Sequence, residues 1–437
     1  MALPHEDTKH PDATDGWPRG ARKAVIAAVT GTVIEWYDYA LYGAAAGVVI
    51  GPLFFSGDQS AGDLAAFATF AVGFGARPLG GVLIGHFGDR FGRRPAMLLT
   101  VLLMGVATVA VGLLPTYSQV GLLAPVLLVL FRLIQGFGAG AELAGAVTLV
   151  AEYAPRRRRG LITSLPLSCP PAGIALATFA FLGVSALGDD VLLGWAWRLP
   201  FLVSAVLFLV ALYIRRSLEE TPEYRAAMAE QPVERKLPAA EIFRHNKRAL
   251  ATGFLSITGH NALNYIMAVF AVGYLSSDAV GLGATQALLA VTISSLAAVV
   301  LSPVGGLLAD RVGSRTMMIA GSIVGLALAF PLFNALSSGN FWQATAALLC
   351  GYAFAMSATG GSQGAFLTGL FPLDRRYSGV ALTREINGAI VAGLTPLITA
   401  ALIEAAGGGT LYAALYLVLC CGLSLVAVAV APRPTQD

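Results

Sequence analysis

Charge is scarce in this 437-residue chain. Asp, Glu, Lys and Arg make up 12% of it, against about 25% in ordinary soluble domains. That deficit excludes a soluble globular protein, which needs far more polar surface, and makes lipid the solvent for most of the molecule. Cysteine is sparse as well. Cys169, Cys350, Cys420 and Cys421 all fall in apolar stretches and none forms a CxxC, which excludes a disulfide framework and a thiolate zinc site. They read as small apolar packing residues. No HExxH motif and no His/Asp pairing inside an apolar run supports a membrane-embedded enzyme or a metal centre, so no cofactor is expected. A secretory leader is excluded too. The apolar segment after Lys23 is too long for one, lacks a small-residue cleavage site and carries Glu35 and Asp38.

What the chain has is apolar length. Hydrophobic residues make up 56%, gathered into runs near 24–50, 62–87, 95–114, 121–153, 160–187, 195–214, 249–275, 285–309, 316–336, 341–370, 377–403 and 409–431. Each is long enough to cross a hydrocarbon core as a helix. All but four of the 28 Lys and Arg (the exceptions are Arg77, Arg132, Arg198 and Arg384) fall in the two tails or in every second loop. The intervening loops carry only acids, such as Asp58, Asp189, Asp190 and Asp278. Basic loops stay on the cytoplasmic side, so both termini are expected there and the number of spans is even. The hydrophilic piece Arg215 to Arg248 divides them six and six. The expected organisation is a disordered tail (1–22), a six-helix bundle (23–214), a cytoplasmic linker (215–248), a second six-helix bundle (249–432) and a short tail (433–437).

The two halves share a signature. GHFGDRFGRR (Gly85 to Arg94) recurs as GLLADRVGSR (Gly306 to Arg315), with Asp, Gly and the final Arg at the same offsets. Asp89 and Asp310 are 221 residues apart, about half the chain. A basic, Gly-punctuated turn between two membrane-length helices, repeated at that spacing, points to duplicated halves and to transport.

This duplicated turn resembles the hallmark of the major facilitator superfamily. Further strings resemble its metabolite:proton symporter branch: IEWYDYALYG in the first run, GFGARPLGG in the second, FRLIQGFGAGAEL in the fourth, then AEYAPRRRRG, WRLPF, LEETPEY and DRRYSG. The resemblance implies an all-α integral membrane fold of twelve transmembrane helices in two pseudo-symmetric bundles. It also implies proton-coupled carriage of dicarboxylates, tricarboxylates, shikimate-like acids or osmolytes. Three features depart from the branch, all in the second half: TGGSQG (Thr359 to Gly364), Gly369 before the Phe-Pro pair, and Arg384-Glu385 in the eleventh run.

A charge inside a span costs about 2.5–3.5 kcal/mol even on lenient insertion scales. Glu35, Asp38, Arg77, Arg132, Glu142, Arg384 and Glu385 must therefore face a cavity or a partner. Glu35, Asp38, Glu142 and Glu385 are the expected proton carriers, because a desolvated carboxylate is readily reprotonated. Arg132 and Arg384 are the expected carboxylate grips, because guanidinium binds bidentately and keeps its charge. His260, Asn261, Asn264 and Tyr42 are placed beside them in the substrate site. The competing reading is that these charges form permanent interhelix bridges. For His260 a proton relay and a hydrogen-bonded cavity residue stand side by side. Arg77 is expected near the cytoplasmic turn as a brace, and Arg384 and Glu385 nearer the cytoplasmic end of their span. Gly85, Asp89, Arg90, Gly92, Arg93, Arg94, Asp310 and Arg311 are expected to latch the halves on that side, whereas a plain orientation signal would explain the arginines alone.

The function expected is import of a small organic anion by proton symport, from a monomer in a bacterial-type inner membrane with no nucleic-acid partner. Span 5 carries prolines at 166, 170 and 171 but lacks the GxxxGPxxGG pattern of superfamily antiporters, which ranks a metabolite or drug exporter second. Osmolyte symport is ranked lower because the short tail lacks the coiled coil of osmosensing relatives. A membrane sensor is ranked below transport because no added cytoplasmic domain is present.

Overall fold

The computed structural model describes residues 21–57, 59–91, 93–140, 164–165, 168–216, 242, 246–372 and 376–432. Over these residues the chain groups into twelve helical segments: α1 (21–54), α2 (Gln59–Phe91), α3 (Arg93–Leu113), α4 (Leu123–Ala139), α5 (Cys169–Ser185), α6 (Arg198–Arg216), α7 (247–276), α8 (Ala284–Val312), α9 (Ser314–Leu336), α10 (341–368), α11 (376–405) and α12 (Leu411–Val430). Six of them cross a membrane by length and mean hydropathy alone: α2, α7, α8, α9, α11 and α12. A seventh is α5, whose axis bends by 110° into a short helix before α6. The apolar parts of α3, α4 and α6 are shorter. The remaining two carry the polar load, Glu35 and Asp38 on α1 and a Gly/Ser/Thr-rich stretch on α10. The tail 1–20, most of the linker, much of spans 4 and 5, and 433–437 lie outside the described residues.

Leucines and valines stand exposed along the outside, among them Leu79, Leu102, Val106, Val126, Leu209, Val300 and Leu419. Apolar surface spread this widely needs lipid against it. Helices meet through small residues, since lipid offers no hydrophobic drive for association and close backbone approach supplies the attraction. A Cβ on Gly80 would fall on the carbonyl of Phe137, and one on Gly136 on the carbonyl of Gly73, which locks α2 to α4. The second half repeats the device: Gly305 abuts the carbonyl of Ser357, and Gly361 abuts Ser302, which locks α8 to α10.

The duplication also shows in local distortion. A π turn interrupts α1 at Ala46–Ile50 and α7 at Ile266–Phe270, 220 residues apart and close to the offset of the repeated turn. These two helices cross where Gly47 would place a Cβ 2.7 Å from the Gly273 nitrogen, and Ser276 Oγ donates to the Gly47 carbonyl at 3.2 Å. Nearby, Thr292 on α8 donates to Thr178 on α5 at 2.7 Å. The two halves are thus packed together at the end of the bundle remote from the repeated turns. In the second turn Gly313 adopts φ +92°, a conformation that favours glycine.

Candidate functional site

The charged residues of the spans gather in two networks, one within the N-terminal half and one between the halves. The first lies inside the N-terminal half. Asp38 on α1 accepts from Gln135 Nε2 at 2.7 Å and from Thr108 Oγ1 on α3. Gln135 Oε1 accepts from Arg132 one turn earlier on α4. Arg132 is wholly buried. Its remaining donors reach the carbonyls of Thr69 and Phe70 on α2 at 3.5 and 3.3 Å. The guanidinium lies 3.9 Å from the centre of the Tyr42 ring, whose hydroxyl bonds Thr69 Oγ1 at 2.5 Å. Every face of this cation is covered by its own half.

The second network joins the halves. Arg77 Nε donates to Glu385 Oε2 at 3.0 Å and Nη2 to Oε1 at 3.4 Å, a two-point grip from α2 to α11. The same Nη2 lies 3.6 Å from Glu35 Oε1 on α1. Tyr39 and Phe74 flank the guanidinium at 4.8 and 5.4 Å from their ring centres. Arg77, expected as a brace of the turn, instead grips Glu385 and lies beside Glu35. Glu385 sits nine residues from the start of α11 and twenty from its end, nearer the end expected to be cytoplasmic.

Around Glu385 the C-terminal half contributes a polar wall. Arg384 donates to Gln363 on α10. His260 Nδ1 pairs with Thr359 Oγ1 at 2.7 Å, and Asn261 donates to Asn387 Oδ1 at 2.6 Å. Asn387 in turn donates to the Phe254 carbonyl at 2.8 Å and to Thr258 at 3.0 Å. Asn264 is buried, and its Oδ1 has no hydrogen-bond partner among the described residues. Between the halves lies a cavity of about 10 Å³ lined by Trp36, Tyr39, Phe70, Ile174, Tyr265 and Val269 among others, room for one water. Gly360 to Gly364 spell a GxSxG, yet they run mid-helix with Ser362 Oγ donating to the Ala358 carbonyl. That is no strand-to-helix nucleophile elbow.

Glu142 and Gly92 lie outside the described residues, as do the side chains of Asp89, Arg90, Arg93 and Arg94. Gly85 falls within α2. Asp310 and Arg311 are exposed in the last turn of α8. Gln135, Gln363, Thr359, Asn387, Tyr39 and Tyr265 join the site without having been expected in it. Gln135 is one helical turn from Arg132, Gln363 and Thr359 lie in the TGGSQG departure, and Tyr39 lies in IEWYDYALYG. Asn387 and Tyr265 carry no sequence signal beyond their place in a span.

The fold and this interhalf charge layer describe a membrane carrier. The Sugar (and other) transporter family model matches residues 23–237, and the Major Facilitator Superfamily model matches residues 261–437. A shikimate transporter of Escherichia coli K12 is 38% identical over 92% of this chain and 93% of its own length. A proline/betaine transporter of Salmonella typhimurium LT2 is 35% identical over 88% of this chain and 78% of its own. A crystal structure of a D-xylose-proton symporter shares the fold, with a TM-score of 0.70 at 18% identity over 95% of this chain and 99% of that one. The chain belongs to the major facilitator superfamily and is a multi-pass secondary transporter of small molecules.

Proposed function

We propose that the protein imports a small organic carboxylate together with protons, exposing the central site alternately to the two sides of a bacterial inner membrane. The observation that carries this is Arg77, held by Glu35 of its own half and Glu385 of the other. A proton on Glu385 removes the charge that ties α11 to α2, and the halves are then free to separate. Glu35 retains Arg77 meanwhile, so the cation is never left bare in the layer. Glu35 and Glu385 are therefore the coupling pair, Glu142 a further acid of the pathway, and Asp38 a scaffold held by Gln135 and Thr108. The charge asymmetry of the loops sets the orientation, with both termini, the linker 215–248 and the Asp89 and Asp310 turns cytoplasmic and the turns acting as the latch. The boundaries 23–214 and 249–432 delimit the rocking bundles. The shikimate transporter supports an organic acid as cargo, and the xylose-proton symporter shares the architecture.

A second reading is symport of a zwitterionic osmolyte. The aromatic wall of Trp36, Tyr39, Phe70 and Tyr265 favours it, since such walls accept substituted ammonium groups.

The test is uptake into liposomes carrying the purified protein, with labelled shikimate, succinate and proline supplied separately. Wild type accumulates an acid under an inward proton gradient. Glu385→Gln and Glu35→Gln retain exchange of that acid but lose accumulation. Variants that concentrate it and collapse on uncoupler as wild type does would refute the coupling pair, and accumulation of proline alone would favour the osmolyte.

A further inference from the structure

Arg384 and Glu385 are neighbours on α11 but take different partners. Glu385 holds Arg77. Arg384 donates to Gln363 Oε1 and makes no ion pair among the described residues. Gln363 is 2% exposed, and its Nε2 finds no acceptor among them. The amide cannot be turned round to remedy this, because a guanidinium has donors only and must face the oxygen. Side by side, α10 and α11 present a partly exposed cation without a carboxylate and a buried amide donor without an acceptor. The orphaned amide is costly unless a ligand supplies the acceptor, and the neighbouring cation favours one that carries negative charge. Arg132 offers the opposite picture, enclosed by Gln135, two carbonyls and the Tyr42 ring.

The geometry points to Arg384 and Gln363 as the receptor for the cargo carboxylate. This rests on the organic-acid reading and deepens it. Arg384 supplies the compensating charge, and Gln363 Nε2 donates to the second carboxylate oxygen.

Melting of the purified full-length protein is measured with shikimate, shikimate methyl ester, succinate, proline and cyclohexanecarboxylate. Shikimate is expected to raise the melting temperature and its ester to leave it unchanged, since binding to the folded state stabilises by mass action. Gln363→Leu weakens shikimate about tenfold or more. Gln363→Glu supplies Arg384 with an internal carboxylate, so the unliganded protein melts higher and the shikimate shift disappears. Full shikimate binding by Gln363→Glu, with loss in Arg132→Gln, would overturn the receptor and leave organic-acid transport standing. Stabilisation by succinate or proline instead, lost in Gln363→Glu, would uphold the receptor with a different carboxylate. No response to any carboxylate would overturn the inference and the organic-acid reading together.

Discussion

Asp38, Gln135, Thr108 and Arg132 form a closed set in which each polar atom is spoken for within one half. Buried networks of this kind rigidify, and a half-satisfied one costs more than none. Thr108→Val removes one of the two donors to Asp38 and should lower stability by about 1–3 kcal/mol. The readout is thermal melting beside liposome uptake. Lower melting with an unchanged dependence of uptake on pH is expected, because Asp38 then serves as scaffold and Glu385 as the proton carrier. A shifted pH dependence at unchanged melting would reverse those roles. The i, i+3 spacing of Glu35 and Asp38 reads as one acidic face in the sequence. The fold sends Glu35 to Arg77 and Asp38 to Gln135, because α2 and α4 approach α1 at different points, a fact that no spacing along α1 contains.

Among the elements, α1 and α7 do most to join the halves. Their π turns lie almost one repeat apart and their glycines let the backbones touch. A side chain at Gly47 has no room, so Gly47→Leu should wedge the halves apart at the end remote from the repeated turns. In a background without the four native cysteines, Ser276→Cys reports on this seam. Its labelling by a membrane-impermeant maleimide should quicken severalfold when Gly47→Leu is added, because the seam is one face of an alternating-access equilibrium. Equal labelling rates would show that the α1–α7 crossing does not gate. The helices themselves were legible from apolar run length, whereas the π turns were not. They arise where two backbones in contact demand a local widening that no composition encodes.

Across the whole molecule the described layer holds three guanidiniums, Arg77, Arg132 and Arg384, against three carboxylates, Glu35, Asp38 and Glu385. With all six ionised the layer is neutral. A monovalent carboxylate therefore loads with one proton to keep it so, since an uncompensated charge in a bilayer-embedded site is costly. Uptake should then respond to a pH gradient and be insensitive to membrane potential. Liposomes with the potential clamped by potassium and valinomycin separate the two forces. Acceleration by an inside-negative potential at constant pH would show net positive charge moving and more than one proton per acid.

The sequence by itself determined the class: run length set the helices, the placement of Lys and Arg set the expected orientation, and the turn repeated at 221 residues set two halves. Each is a local or periodic property, written in order along the chain, and lipid enforces it because every span must satisfy its own backbone. Which charge meets which was decided only in three dimensions. Arg77 and Glu385 lie 308 residues apart, and their pairing depends on the packing of α2 against α11 where Phe74 meets Gly388 and Gly393. A helix count gives depth along one axis. Ion pairing needs rotation and approach as well, and those are set by the fit of neighbouring surfaces.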